Sequence, residues 1–505
     1  MTRLRMVRSQ VLTANQQVDA VFNSPALYRL AALVPTRQLV GRPAVHPAWA
    51  LLAYGVLSRV FRSGARVENE LAQPDCWQRI LTVVDGVRAQ YPELDIPPAG
   101  ARAPGWDAWK HARNHYFTDP EILELLQDAF TEMAVEQARG LGLLDPQGPG
   151  SLCHPDRSRV VYGDGTVIRP LYRPPAAKRH TDAKTGEVTV TYLDPEGRPI
   201  AKPTRRYDPD AADYHGHTGS VHGQNYVALY VRGDAPHQRV VLAVDRVPRP
   251  GQEADTAVAA LERLHQVAGS GIQAVVYDGA MRGVHIDRLM TGCGVLVINK
   301  VHASAQTAQR KGKDTPPRWY ALGTWEHDGT AGACTHQLAA LDGAVHEIGL
   351  TDDGSPIALS RLERKQVKRP RRTTGRYHFN IAYQVPCPAG DFTAWITPHG
   401  EPGDADHRRA DAVRVIAEGE DDFTRLYGVR NDAESFNSQL KRSLLVGRAA
   451  TLGGRRQLLD VLCFGLLNNA VTAHHQAVDQ PVRSHLRRVA QRPGRTARTA
   501  LHVAS

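Results

Sequence analysis

Arg430, Glu434 and Lys441 follow Tyr427 by 3, 7 and 14 positions. At ~100° per helical residue the four fall within roughly 60° of arc. One helix face would then carry a phenol, a guanidinium, a carboxylate and an ammonium. Leu426, Val429, Ala433 and Leu440 repeat the spacing beside that row as an apolar stripe. Such a helix packs on a sheet through the stripe and presents its polar row along a cleft, and Gly428 weakens its first turn. A solvated amphipathic helix with an Arg430–Glu434 pair has the same pattern, so the row alone does not decide.

Two aspartates add to it. Asp164 stands in Val161-Tyr162-Gly163-Asp164-Gly165-Thr166, and Asp278 in Val276-Tyr277-Asp278-Gly279. Each follows an apolar strand and precedes Gly, which lets a backbone turn sharply and a bulky ligand approach. Asp-Gly after a strand is also a common turn former. Two strands and a helix carrying three carboxylates are what two-metal phosphoryl chemistry requires. Hard oxygen ligands hold Mg²⁺ or Mn²⁺ and leave positions for water and phosphate oxygens. One metal activates the attacking oxygen while the other stabilises the leaving one. Positioning and charge neutralisation dominate such catalysis. Arg430 and Lys441 suit clamps on the flanking phosphates, Arg as a fork and Lys as a point charge.

Tyr427-x2-Arg430-x3-Glu434-x6-Lys441 resembles the Tyr-x2-Arg-x3-Glu-x6-Lys signature of bacterial insertion-sequence transposases of the DDE superfamily. Their catalytic domain is RNase H-like. The order of acids is similar too, with 114 positions between Asp164 and Asp278 and 156 between Asp278 and Glu434. The second gap in that family holds a β-rich insertion. The resemblance covers roughly residues 150–475, and more faintly the helical region before them. It implies that Asp164, Asp278 and Glu434 bind two Mg²⁺ ions, with Mn²⁺ able to substitute. Water would cut the phosphodiester at an element end, and the freed 3′-hydroxyl would attack the opposite strand or target DNA. Tyr427, Arg430 and Lys441 would contact phosphates of double-stranded DNA, and a homodimer would synapse two ends. Some relatives hold a flipped base against an insertion-domain Trp. Trp319 and Trp325 lie in that region, and each also suits a small β core.

Two rivals remain: a nuclease of the same fold that cuts without joining, and a non-catalytic DNA-binding descendant. Three mutually repelling carboxylates speak against the last. A run of eight cations in sixteen positions (Arg361, Arg364, Lys365, Lys368, Arg369, Arg371, Arg372 and Arg376) falls within the insertion. It reads as a phosphate-contacting surface, to which Lys311, Lys313 and Arg318 would add. His215-Gly216-His217 with His222 is read as a polar loop, because no Cys or acid completes a metal site there. No Walker loop or Gly-x-Gly-x-x-Gly fingerprint occurs.

The elements that must position these residues follow from pattern and punctuation. Residues 1–150 read as a helical domain that could bind DNA ends. Pro47–Phe61, Val67–Ile80 and Asp119–Ala138 are its clearest helices, and Asp119-Pro120 is a start signal. Residues 140–150 are Gly- and Pro-rich like a linker. Strands are expected at 159–168, 225–231, 239–247, 273–277 and 294–298, with a helix at 253–268. That order is α/β, giving an RNase H-like first part over 151–300. Residues 301–400 form the β-rich insertion, with strands at 378–385 and 392–397. Residues 401–480 return the helical second part with Glu434, and 481–505 form a basic tail.

A chain of 505 residues is long enough for several folding units. Its net charge of +10 suits a polyanionic partner. Six cysteines show no close pair in sequence, so reduced thiols and no zinc motif are expected. The basic Met1–Arg8 segment lacks an apolar core, and no stretch suits a bilayer, which points to a cytoplasmic protein.

Overall fold

The N-terminal region folds as α1 (Ala14–Phe22), α2 (Pro25–Ala32), α3 (Ala48–Val60), α4 (Gly64–Leu71), α5 (Pro74–Gln90), α6 (Trp106–Ala112) and α7 (Pro120–Gly140). The helix expected over 67–80 is two, because Pro74 starts a new helix after Gln73. α7 starts as its sequence dictates: the Asp119 carboxylate accepts from the Glu121 and Ile122 amides, ahead of Pro120. This computed structural model describes residues 11–35, 45–181, 188–216, 219–235, 237–301, 319–329, 332–400 and 407–490. Lys311, Lys313, Arg318 and His217 lie outside them.

β1 (Val160–Ile168) is followed by a small sheet of β2 (Ala176–Thr181), β3 (Val188–Leu193) and β4 (Pro199–Ile200). Then come β5 (Ala212–Gly216), β6 (Gly219–Arg232), β7 (Arg239–Arg246), α8 (Glu253–Ala268), β8 (Ala274–Val276), α9 (Gly283–Arg288) and β9 (Leu296–Ile298). β1 is central in the main sheet. It pairs antiparallel with β6 on one side and parallel with β8 on the other, and β8 pairs parallel with β9. β5 and β7 both pair antiparallel with β6. The sheet is therefore mixed, within an α/β fold.

Side chains of successive strand residues alternate between two cores. Val227, Leu229 and Val231 of β6, with Val240 and Leu242 of β7, join the core that includes α8 and α9. Tyr226, Ala228, Val241 and Val244 join the other, with the N-terminal helices, the Asn431–Arg442 helix and the C-terminal helix. Burial on both faces explains why these strands read as near-continuous apolar runs. The free edge of β7 is covered by the C-terminal helix. There the Asn469 side-chain amide accepts from Val241 N–H at 2.8 Å and donates to its carbonyl at 2.9 Å. That helix runs Gly454–Ala490, so the expected basic tail begins as helix backbone. Among the described residues no helix is long and apolar enough to cross a membrane.

Two antiparallel sheets fill the span expected to be β-rich. One contains β10 (Tyr320–Gly329), β11 (Gly332–Leu341), β12 (Ala344–Leu350) and β13 (Pro356–Arg361). The second contains β14 (Glu363–Lys368), β15 (Asn380–Val385) and β16 (Phe392–Ile396). Pairing across these sheets brings Cys334 and Cys387 together, 53 positions apart in sequence. Sequence spacing concealed that proximity.

Candidate active site

β1 does not end at its aspartate. The sequence pattern places Asp164 at a strand terminus, whereas the strand continues to Ile168 and pairs Asp164 with Ala228 of β6. What stops is the parallel neighbour. Tyr162 is level with Val276, the last residue of β8. Asp164 lies two residues beyond Tyr162 and Asp278 two beyond Val276, so the acids emerge side by side where the parallel pairing ends. Ligand sites in open α/β sheets form at such carboxyl ends.

The glycines after the two acids have different reasons. A Cβ on Gly165 would lie within 2.4 Å of the Glu253 carboxyl atoms, so Gly165 admits a third carboxylate beneath the strand. Nothing approaches a Cβ on Gly279. There the Asp278 carboxylate turns the chain by accepting the Ala280 amide at 2.8 Å.

Arg430 joins the pair. Its Nη2 is 3.2 Å from Asp164 Oδ1 and 4.0 Å from Asp278 Oδ2. Asn437 Nδ2 donates to the other Asp164 oxygen at 2.9 Å. Burial pushes the Asp164 carboxyl above the usual carboxylate range; Arg430 pulls it down and Asp278 raises it further. Glu253 is raised chiefly by burial, with Asp278 and Asp164 adding to it. Its carboxylate accepts from Asn225 Nδ2 at 2.6 Å and from the buried Tyr277 hydroxyl at 3.3 Å. Asn299 ties down the segment after β8 by donating to the Asp278 and Met281 carbonyls.

The segment carrying the four spaced residues is not one continuous α-helix. Asp421–Tyr427 is α-helical, Gly428–Arg430 is a 3₁₀ turn, and Asn431–Arg442 is α-helical again. The break falls where Gly428 weakens the turn. Phe436 and Leu440 bury the second helix against the core. Arg430 and Asn437 both reach Asp164, and Glu434 lies between them on that face. Glu434 is exposed, and among the described residues no hydrogen bond or ion pair holds it. It lines an open cleft of about 850 Å³ with Asn437, Lys441, Arg62 and Arg66. A second cleft of about 510 Å³ runs from Gly165 and Arg169 to the same Asn437 and Lys441. Partial burial and Arg169 lower the Lys441 ammonium from its ordinary value, while Asp164 opposes them. Tyr427 stacks on Phe423 at 4.8 Å, with Lys300 and Arg430 each 5.9 Å from its ring centre. Desolvation raises its phenol, so it stays protonated and able to donate.

The structure thus gathers Asp164, Asp278 and Arg430 directly, and sets Glu434, Lys441 and Tyr427 along the adjoining helical face. Sequence reasoning missed Glu253, Asn225, Asn299 and Asn437. Asn437 was findable, being on the Arg430–Lys441 face; Glu253 carried no signal beyond standing first in its helix.

The basic run divides. Lys365, Lys368, Arg371 and Arg372 are exposed, although Lys365 pairs with Glu363 and Lys368 lies 4.2 Å over Trp395. Arg371 donates to the Gly375 carbonyl and Arg372 contacts His378. Arg364 and Arg369 depart from the phosphate-contact expectation. Arg364 is 6% exposed, paired with Glu420 at 2.8 Å and donating to the Cys153 and Val415 carbonyls. Arg369 donates to the Gly294 carbonyl and lies over Tyr377. Both guanidinium groups pin the insertion to its surroundings because buried carbonyls and an acid need donors. Trp325 packs against the core and Trp319 meets His346 edge-on at 5.8 Å. His215 is exposed and His222 contacts Asp213 at 3.3 Å. No protein-family model and no curated protein matches this chain.

Proposed function

We propose that the chain is a DDE-type DNA transposase with an RNase H-like catalytic core, cutting element ends and transferring a 3′-hydroxyl to target DNA. The observation that carries this is the convergence on Arg430. A residue of the helical signature bridges two aspartates that lie 266 and 152 positions earlier in sequence. A mixed sheet with one acid on its central strand, one after the adjacent parallel strand and a glutamate on the flanking helix supports the RNase H-like assignment.

The donor set suits divalent cations. Asp164, Asp278 and Glu434 offer hard oxygens, and Asp164, raised chiefly by burial and further by Asp278, is a carboxylate whose charge a cation would offset. When bound, two Mg²⁺ or Mn²⁺ ions supply activation of the attacking oxygen and stabilisation of the leaving one. Asp164 and Asp278 would hold the cations from the sheet edge, and Glu434, which lines the adjoining cleft and contacts neither aspartate in this structure, would complete the set from the helix. Asn437 orients the Asp164 carboxylate through its second oxygen. Lys441, Arg62 and Arg66 line the cleft beside Glu434 and neutralise duplex phosphates entering it. The exposed Lys365, Lys368, Arg371 and Arg372 extend contact along the duplex. A homodimer acting in the cytoplasm would hold two ends.

The test is a labelled duplex carrying the sequences that flank the gene, incubated with purified chain and Mg²⁺ or Mn²⁺. Nicking at a defined end followed by joined product is expected. Nicking without joining moves the assignment to a nuclease of the same fold. Tight binding without cleavage moves it to a silent DNA-binding descendant.

A further inference from the structure

We infer that the β-rich segment holds a structural zinc ion in a Cys₂His₂ site formed by His327, Cys334, His336 and Cys387. The inference is independent of the DNA-cleavage assignment, since none of these residues touches the carboxylate cleft.

Cys334 and His336 stand two apart on β11, so both side chains point to the same face. His327 on β10 lies directly opposite Cys334 in the antiparallel register. Cys387 comes from the turn after β15, in the neighbouring sheet. The sulfurs of Cys334 and Cys387 and a ring nitrogen of His336 all lie within 4.8 Å of one another. His327 Nδ1 is 3.4 Å from the Cys387 sulfur. A tetrahedral zinc site needs its donors roughly 3.3–3.8 Å apart, given the usual zinc–sulfur and zinc–nitrogen lengths. The His327–Cys387 pair already has that separation, and closing the site would draw the other donors together from within 4.8 Å.

The surroundings are those of a ligand set. His336 is 5% exposed, and its Nδ1 is 2.6 Å from Glu347 Oε1 on β12. That contact fixes the tautomer with the proton on Nδ1 and leaves the Nε2 lone pair free. Nε2 is buried with no hydrogen-bond partner, which a bound metal would satisfy. A carboxylate behind a histidine is the usual outer support of a zinc ligand. Phe392 holds both rings, stacked on His327 at 4.6 Å and tilted to His336 at 5.0 Å. The Ala389 amide donates to the Cys387 sulfur at 3.4 Å, as a thiolate would require.

Two sulfurs with two imidazoles select zinc over the hard cations suited to the carboxylate cleft. Four protein ligands leave no open position, which marks a structural site. The ion would staple the β10–β13 sheet to the β14–β16 sheet. A Cys334–Cys387 disulfide is the competing use of the two sulfurs, but it gives no role to two oriented histidines.

The full chain, purified under reducing conditions without chelator, is analysed for metal by mass spectrometry. One zinc per chain is expected, retained through dialysis and reduced at least tenfold in Cys387→Ser and in His336→Gln. Cys153→Ser, outside the cluster, should keep it. Replacement by Co²⁺ in the wild-type chain should give tetrahedral d–d absorption with a sulfur-to-cobalt charge-transfer band. That band separates this site from cation binding at carboxylates and does not depend on any variant folding. A folded wild-type chain without stoichiometric zinc and without that band would overturn the site, as would a Cys334–Cys387 disulfide in freshly alkylated protein.

Discussion

Asp164 is held between opposing influences, and its titration is the most sensitive report on the site. Burial and Asp278 raise its carboxyl, and the Arg430 guanidinium lowers it. Only the ionised carboxylate binds a cation, so protonation sets the acid limb of any metal-dependent activity. Removing Arg430 removes the lowering influence, so Asp164 titrates at higher pH still. In Arg430→Gln the acid limb of the cleavage profile should move upward by roughly one pH unit, the usual effect of losing an adjacent opposite charge. A limb that stays in place, or moves to lower pH, would show that Arg430 does not govern Asp164. Asp164, Asp278 and Arg430 could be singled out because identity and spacing mark them, and the fold brings these three together. Glu253 was not, because its approach depends on a missing side chain at Gly165 across a strand boundary. Arg364 and Arg369 misled because a charge run looks the same whether its members face water or buried carbonyls.

At the scale of elements, the signature helix works only if its apolar side is seated. Phe436 is 1% exposed, stacked on Tyr230 at 6.3 Å and tilted against Phe464 at 5.4 Å. Phe436→Ala should lower unfolding free energy by about 3–5 kcal/mol, as for other large buried aromatics, with a matching fall in the urea midpoint. A loss under about 1 kcal/mol would mean the helix is positioned by something other than this contact. α8 was legible to the residue because its apolar positions recur at helical spacing between clear boundaries. The strands of the main sheet were legible as apolar runs, though Asp164 was taken for a terminus because Asp-Gly usually ends a strand. β10 to β13 were not resolved as strands, since His, Gly and charged residues on half-exposed faces leave little alternation. Cross-strand pairing makes them, and pairing is invisible to local pattern.

Across the whole molecule, the helical N-terminal region and the main sheet share one core. Trp49, Tyr54 and Phe130 belong to the same buried cluster as Tyr226, Val241 and Phe464. Arg62 and Arg66 enter the Glu434 cleft from that region, so it helps build the surface proposed for DNA. Sequence pattern separated the two at the Gly- and Pro-rich stretch near residue 145, because linker composition says nothing about packing across it. As proposed, Asp164, Asp278 and Glu434 form one metal-dependent cutting centre, with Glu434 exposed on the helix whose Asn437 already binds Asp164. The most direct measurement compares wild type and Glu434→Gln for binding and Mg²⁺-dependent cleavage of an element-end duplex. Equal binding is expected, with cleavage by wild type and a loss of at least a hundredfold in the variant. Cleavage by Glu434→Gln at the wild-type rate would contradict it.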